Sequence, residues 1–177
     1  MRPLPLLVAA TMLVLAPGAG AAEPQDTTID SVSAESVGTD TETTTVFHDQ
    51  VVAVGNDLTL KCDFLKVIAT RIGDKTATLG KYGKFRYMLA TGNVRIVQSD
   101  RIATCGRAEV FPGEDRIVLT EDPVVEIPSE HYKASGPRMI LYRGQRRAVI
   151  EGTPGHPTHI SLPPIKDLGF PSEQPPK

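Results

Sequence analysis

The residues best suited to chemistry are two cysteines, four histidines, a run of arginines and a few paired carboxylates. Cys62 and Cys105 occupy equivalent places in two successive repeats. Side by side in an oxidising compartment they could form a disulfide; otherwise they serve as two small buried hydrophobes. There is no C-x-x-C or zinc-like cysteine spacing. His156 and His159, two residues apart in a proline-rich stretch, could bind a metal, but without a nearby cysteine or acid run no metal site is assigned. His48 and His131 read as solvent-facing strand or turn residues. No G-x-S-x-G is present, and Ser135-Gly136-Pro137 reads as a turn. Glu114-Asp115 and Glu121-Asp122 sit in turns, where adjacency does not supply the two contrasting environments that acid–base catalysis needs. No glycine loop suited to phosphate is found, so no catalytic residue and no cofactor are assigned. Arg143, Arg146 and Arg147, with Arg138 close in sequence, form the strongest basic cluster. They read either as contacts for a phosphate or sugar-acid head group or as a solvated hairpin tip around Gly144-Gln145.

The elements that would position these groups begin after an N-terminal address. Met1-Arg2 is basic, Leu4 to Ala16 is apolar, Pro17-Gly18 breaks the stretch, and Ala19-Gly20-Ala21 offers small residues for cleavage. Residues 1–22 are therefore expected to be a cleaved signal peptide that delivers the chain to the periplasm. Residues 23–45 are rich in Thr, Ser, Asp and Glu, and read as a flexible acidic leader. Residues 153–177 form a proline-rich tail in which Ile160 to Leu162 could pair as a last strand.

The chain has a formal charge of −2, no Trp and few aromatic residues. That balance excludes a general nucleic-acid binder. The central part, residues 46–152, holds 16 basic and 13 acidic residues, against six acids and no base in the leader.

The strongest signal is an internal repeat. Gln50 to Val67 lies over Asn93 to Val110 without gaps, and a third copy follows with a shorter spacer, Val125 to Pro128 matching Val94 to Val97. Side chains alternate across a strand. Val51, Val94 and Val125 then fall on one face, followed by Ala53, Ile96 and Ile127. Leu60, Ala103 and Ala134 continue that face after a turn, then Cys62, Cys105 and Gly136. Leu65, Ala108 and Met139, then Val67, Val110 and Leu141, complete it. No copy buries this face alone, so stacked copies must share one elongated interior. Helical periodicity is lacking, and β-branched residues dominate. The expected fold is all-β, an elongated stack of antiparallel strands, with further strands at Phe85–Ala90, Arg116–Thr120 and Arg147–Glu151. Lys75 to Lys84 is expected to be a basic loop.

The runs Ala90-Thr91-Gly92-Asn93-Val94-Arg95-Ile96, Asp100 to Thr104, Asp122 to Val125 and Ala134 to Leu141 resemble OstA-like domains. That family includes LptA and relatives in LptC and the N-terminal part of LptD, all in lipopolysaccharide transport. The resemblance covers residues 46–152. It implies an open β-jellyroll that carries acyl chains in its interior and joins end to end with similar domains. The groove would then be lined by Val51, Ala53, Leu60, Cys62, Val94, Ile96, Ala103, Cys105, Val110, Val125, Ile127, Ala134, Met139 and Leu141. The implied partners are lipopolysaccharide or a similar acylated lipid, and other such domains or a second copy. Joining would use exposed edges at Val46–Val54 and at Arg147–Glu151 with His159–Leu162; in the other reading the leader and the proline-rich tail cover these edges as protection against aggregation. The rival to a carrier is an adaptor that binds envelope proteins by strand addition; a third reading, a repeat-β enzyme, lacks an acid cluster on the wet face. From the residues alone, a groove and a closed dry core remain equally open.

Overall fold

The structure, a computed structural model, describes residues 26–55 and 57–164. The expected signal peptide and the tail beyond Pro164 lie outside them. The described residues form twelve strands and no α-helix. In chain order they are β1 (Thr28–Asp30), β2 (Ser33–Gly38), β3 (Glu42–Gly55), β4 (Leu58–Ile72), β5 (Lys81–Gln98), β6 (Arg101–Phe111), β7 (Arg116–Thr120), β8 (Val124–Ile127), β9 (Tyr132–Ser135), β10 (Arg138–Tyr142), β11 (Arg147–Glu151) and β12 (His159–Ser161). All pairings are antiparallel.

These strands make one sheet folded along a line of bends into two halves. The first half runs β2, the start of β3, the end of β4, the start of β5, the end of β6, β7, β10 and β11. The second runs β1, the end of β3, the start of β4, the end of β5, the start of β6, β8, β9 and β12. Long strands therefore cross from one half to the other. At each crossing the register slips, between His48 and Val51, Lys61 and Phe64, and Thr91 and Val94. Asp49-Gln50, Gly92-Asn93 and Glu121-Asp122 take positive φ at these bends. Gly92 is needed twice over, because φ is +76° and a Cβ would overlap the Asp63 carboxylate. Gly106 lies at the same corner, where a Cβ would collide with Glu121.

The expected alternation appears in the registers. One inward row of the second half reads Ile29, Ala53, Leu60, Ile96, Ala103, Val125, Ala134 and Ile160, each paired with the next. The facing row of the first half reads Phe47, Leu65, Ala90, Ala108, Leu119, Met139 and Ile150. Members of both rows belong to one apolar cluster. Leu65 and Leu119 are fully buried and Val51, Val94 and Met139 are 1% exposed. Each such side chain stabilises the fold by about 1.5–3 kcal/mol.

Four expectations need correction. The acidic leader is not a flexible segment from Thr28 on. Its residues pair with β3 as β1 and β2, with Thr28–Asp30 on Val52–Val54 and Ser33–Gly38 on Thr43–His48. Ladder hydrogen bonds, and Ile29 packed on the core, offset an entropy cost that apolar content alone would not. It follows that β3 is no edge; on this side β1 and β2 are. The expected loop of Lys75 to Lys84 ends early, because β5 already begins at Lys81 and runs unbroken through the bend at Gly92-Asn93. The third repeat copy is displaced by two residues in its first strand: Val125 stands on the rung of Ala103 and Ile96, not of Val94. A two-residue slip leaves facing unchanged, so the apolar pattern alone could not reveal it.

Candidate functional site

The interior between the two halves is the candidate site, and its exposure is uneven. Next to the corner, Val51, Cys62, Val94 and Cys105 on one side and Leu65, Ala90, Ala108, Leu119 and Met139 on the other are all buried. Farther from the corner the two ends differ. Near β3 and β4, the inward Ala53, Leu60, Thr45 and Val67 remain buried. From β5 onward, Ile96, Ala103, Val125 and Ile127 in the second half face inward yet are only half-buried. Met88, Val110, Ile117 and Leu141 do the same in the first half. Along these strands the inward aliphatic side chains make two partly exposed apolar rims, or lips.

Of the fourteen residues expected to line a groove, twelve belong to the apolar cluster: Val51, Ala53, Leu60, Cys62, Val94, Cys105, Ala134 and Met139 are buried in it, and Ile96, Ala103, Val125 and Leu141 pack partly buried against it. Val110 and Ile127 share the strand parity of Ala108 and Val125. Sequence reading missed Ile29, Phe47, Ile117, Leu119, Tyr132 and Ile150, which share this cluster. Ile29 was lost with the leader. Ile117, Leu119 and Ile150 alternate with outward residues in two strands that were recognised but left without a facing.

The cysteines do not meet. β5 runs between β4 and β6, and Val94, paired with Cys105, stands on that intervening strand. Two strand spacings are about 9.6 Å, beyond the ~7 Å Cα separation a disulfide allows. Both thiols are free and buried. Desolvation pushes each up to about 11, so they stay protonated and unreactive at neutral pH.

The proposed head-group arginines point elsewhere. Inward Met139 and Leu141 leave Arg138 on the outer face, where it pairs with Glu151 at 2.8 Å. Arg143 pairs with Asp115 at 3.2 Å. Arg147 lies over the Tyr142 ring at 5.3 Å. Arg146 is an exposed hairpin residue with positive φ.

The outer face of the first half carries its own polar cluster. Tyr87 donates to Glu109 at 2.6 Å and Arg107 approaches the same oxygen at 3.0 Å. These two donors hold the Glu109 carboxyl below its ordinary range. Burial and the neighbouring carboxylate push Tyr87 up to about 12. Each group is engaged with the others, which suits structural bracing. Among the described residues no group of three or more potential metal ligands converges.

The folded, open antiparallel sheet is a fold that known proteins share. The family model of the LptA/(LptD N-terminal domain) LPS transport protein matches residues 28–147, about two thirds of the chain. The chain belongs to this LptA/LptD_N family. A solved structure with the same fold is LptH, the LptA-homologous periplasmic component of the lipopolysaccharide transport device from Pseudomonas aeruginosa. It is 14% identical with a TM-score of 0.59, over 79% of this chain and 96% of that one. No curated protein sequence matches the chain. The LptA/LptD_N match begins at β1, in agreement with the strands found there and ahead of the boundary expected from the repeats.

Proposed function

We propose that this LptA/LptD_N protein works in the periplasm, where it holds the acyl chains of lipopolysaccharide, or of a similarly acylated lipid, between its two sheet halves and passes them toward the outer membrane. The observation that carries the reading is the pair of lips. Residues such as Ile96, Val125, Ile117 and Leu141 face inward and stay half-exposed, an arrangement whose cost disappears when an acyl chain covers them. Each methylene so buried contributes about 0.8 kcal/mol. The attraction has no preferred position along the rows, so cargo can slide without breaking directed bonds. No catalytic residue and no cofactor enter the reading. Transfer would run through neighbouring domains of the same kind, added at the strand edges β2 and β1 on one side and β11 and β12 on the other.

A photoreactive side chain placed at Ile96 or Leu141 is expected to crosslink lipopolysaccharide, whereas the same group at the outward Arg95 or Arg138 is not. Equal crosslinking from both faces would sink the carrier reading. The adaptor reading has one observation in its favour, the exposed apolar side chains of the edge strands, Val37 at 58% and Ile160 at 49%. Partner capture that depends on the edges and proceeds undiminished in lipid-free protein would support it instead.

A further inference from the structure

The lips are apolar along most of their length, but the inward face changes character at the β2–β3 end. There the facing residues of the first half are Ser36, Gly38, Thr43 and Thr45, and Thr43 and Thr45 are the buried polar residues of the described core. Ser36 and Thr45 share a hydrogen bond at 3.1 Å, and Thr45 shares another with the Tyr82 hydroxyl at 2.6 Å. Arg71 joins this group from β4. It has the parity of Leu65, Val67 and Ala69, hence faces inward, and its guanidinium reaches across to β2. A Cβ on Gly38 would overlap its Nη1, and one on Gly80 would sit 3.0 Å from its Cζ.

Arg71 is a fixed cation that makes no salt bridge among the described residues, although the Asp74 carboxylate lies within reach of its charge. Its Nη2 donates to the backbone carbonyls of Asp74 and Ala77, which fastens the 73–80 loop. The Asp74 carboxylate is taken by the Thr76 amide and hydroxyl, and Glu42 by Arg86. Two polar atoms at this end, Arg71 Nε and Thr43 Oγ1, are buried and unpartnered, although buried polar groups are almost always satisfied. Nearby residues add Lys75, Lys81, Lys84 and Arg86 against Asp40, Glu42 and Asp74, with Glu42 paired to Arg86.

We propose that Arg71, together with the hydroxyls of Ser36, Thr45 and Tyr82, forms an oxyanion-binding end of the trough that takes a phosphate ester on the head of the acylated lipid. The proposal rests on the carrier reading and adds a polarity to it, with acyl chains toward β5–β10 and head toward β2–β3. A phosphate fits better than a carboxylate. Nη2 is shared by both two-pronged faces of a guanidinium and is already spent, whereas the remaining donors lie in several directions, as the oxygens of a tetrahedral anion do. Gly38 supplies the space that lets the cation lie flat against the sheet.

The test compares bisphosphorylated lipid A with its dephosphorylated form of the same acylation, each displacing a fluorescent acyl probe from the mature protein. Wild type is expected to bind the phosphorylated form about tenfold more tightly. Arg71→Gln should abolish that preference and leave the dephosphorylated lipid bound as before. Gly38→Val, which keeps the charge but displaces it, should do the same. Millimolar inorganic phosphate should erase the preference in wild type without affecting the dephosphorylated lipid. The inference is overturned if wild type binds both lipids equally, if the preference survives both substitutions, or if Arg71→Gln weakens both lipids alike as a purely structural role would. Tight binding of inorganic phosphate by lipid-free protein, unaffected by lipid, would assign the site to the free ion and overturn it too. Failure of either lipid to displace the probe would refute the carrier reading itself, a separate outcome.

Discussion

Replacing Ala103 by phenylalanine separates a trough from a core. Ala103 lies in mid-row between Ile96 and Val125, faces inward and is half-buried. Facing sheets stand about 10 Å apart, so a phenyl ring on this rung spans about half of that gap. Across one strand spacing of ~4.8 Å it would deny contact to roughly three acyl methylenes. At about 0.8 kcal/mol each, the loss is ~2–3 kcal/mol, or about thirtyfold to a hundred-and-fiftyfold in affinity. Stability should hardly change, because the added ring enters a gap that is not filled. The paired control is Ala108→Phe, on a rung that is 2% exposed between Ala90 and Leu119. There overpacking should cost about 1–3 kcal/mol, some 2–9 °C in Tm for a chain of this size. Probe displacement measures the first effect and thermal unfolding followed by circular dichroism the second. If Ala103→Phe lowers Tm as much as Ala108→Phe, the lips are core and the reasoning fails. If it binds lipid as wild type does, the acyl chain lies elsewhere.

The two thiols make stability fall at alkaline pH. The folded thiols hold their protons to about pH 11 while unfolded ones release theirs near 9.0, so the unfolded state gains from each rise between those values. The loss, up to about 2–3 kcal/mol per thiol, should shrink in a Cys62→Ala, Cys105→Ala double variant; equal pH slopes in denaturant titrations of the two proteins would contradict the burial argument. Reductant should leave the wild-type mass unchanged. Removing the segment through Gly38 strips β1 and β2 and bares the 14-residue β3, so the shortened protein should self-associate more strongly with concentration than the parent, as read by light scattering. A strictly monomeric product would show that β3 is not a template for added strands.

The facing of the interior was legible in the sequence because a period of two survives any misalignment by two. Val51, Ala53, Leu60, Cys62, Val94 and Ile96 needed nothing more than that parity, and the same parity carried Val125 inward although its rung was wrong. Strand edges were less legible. Ser33 to Gly38 has few apolar groups, and its place is secured by backbone hydrogen bonds to Thr43–His48, which leave no compositional trace. Of the two readings of the cysteines, the disulfide is ruled out for a topological reason and the buried pair stands: equivalent residues in successive copies are neighbours only if copies are adjacent strands, and here each copy contains a strand of return. Arg71 was passed over because the signal was sought in clusters. Its significance lies in what surrounds it, a bare glycine on β2 and hydroxyls from three strands, and no local window of sequence contains them all.

The row of bends at Asp49-Gln50, Gly92-Asn93 and Glu121-Asp122 fastens the two halves along one side, while among the described residues nothing comparable joins their far rims. Mechanically this is a hinged jaw. On the carrier reading, such a hinge would let one backbone clasp lipids of different girth with no change in strand pairing. A variant that stiffened the spine would be expected to narrow the range of cargo it accepts before it altered the strength of its grip on any single one.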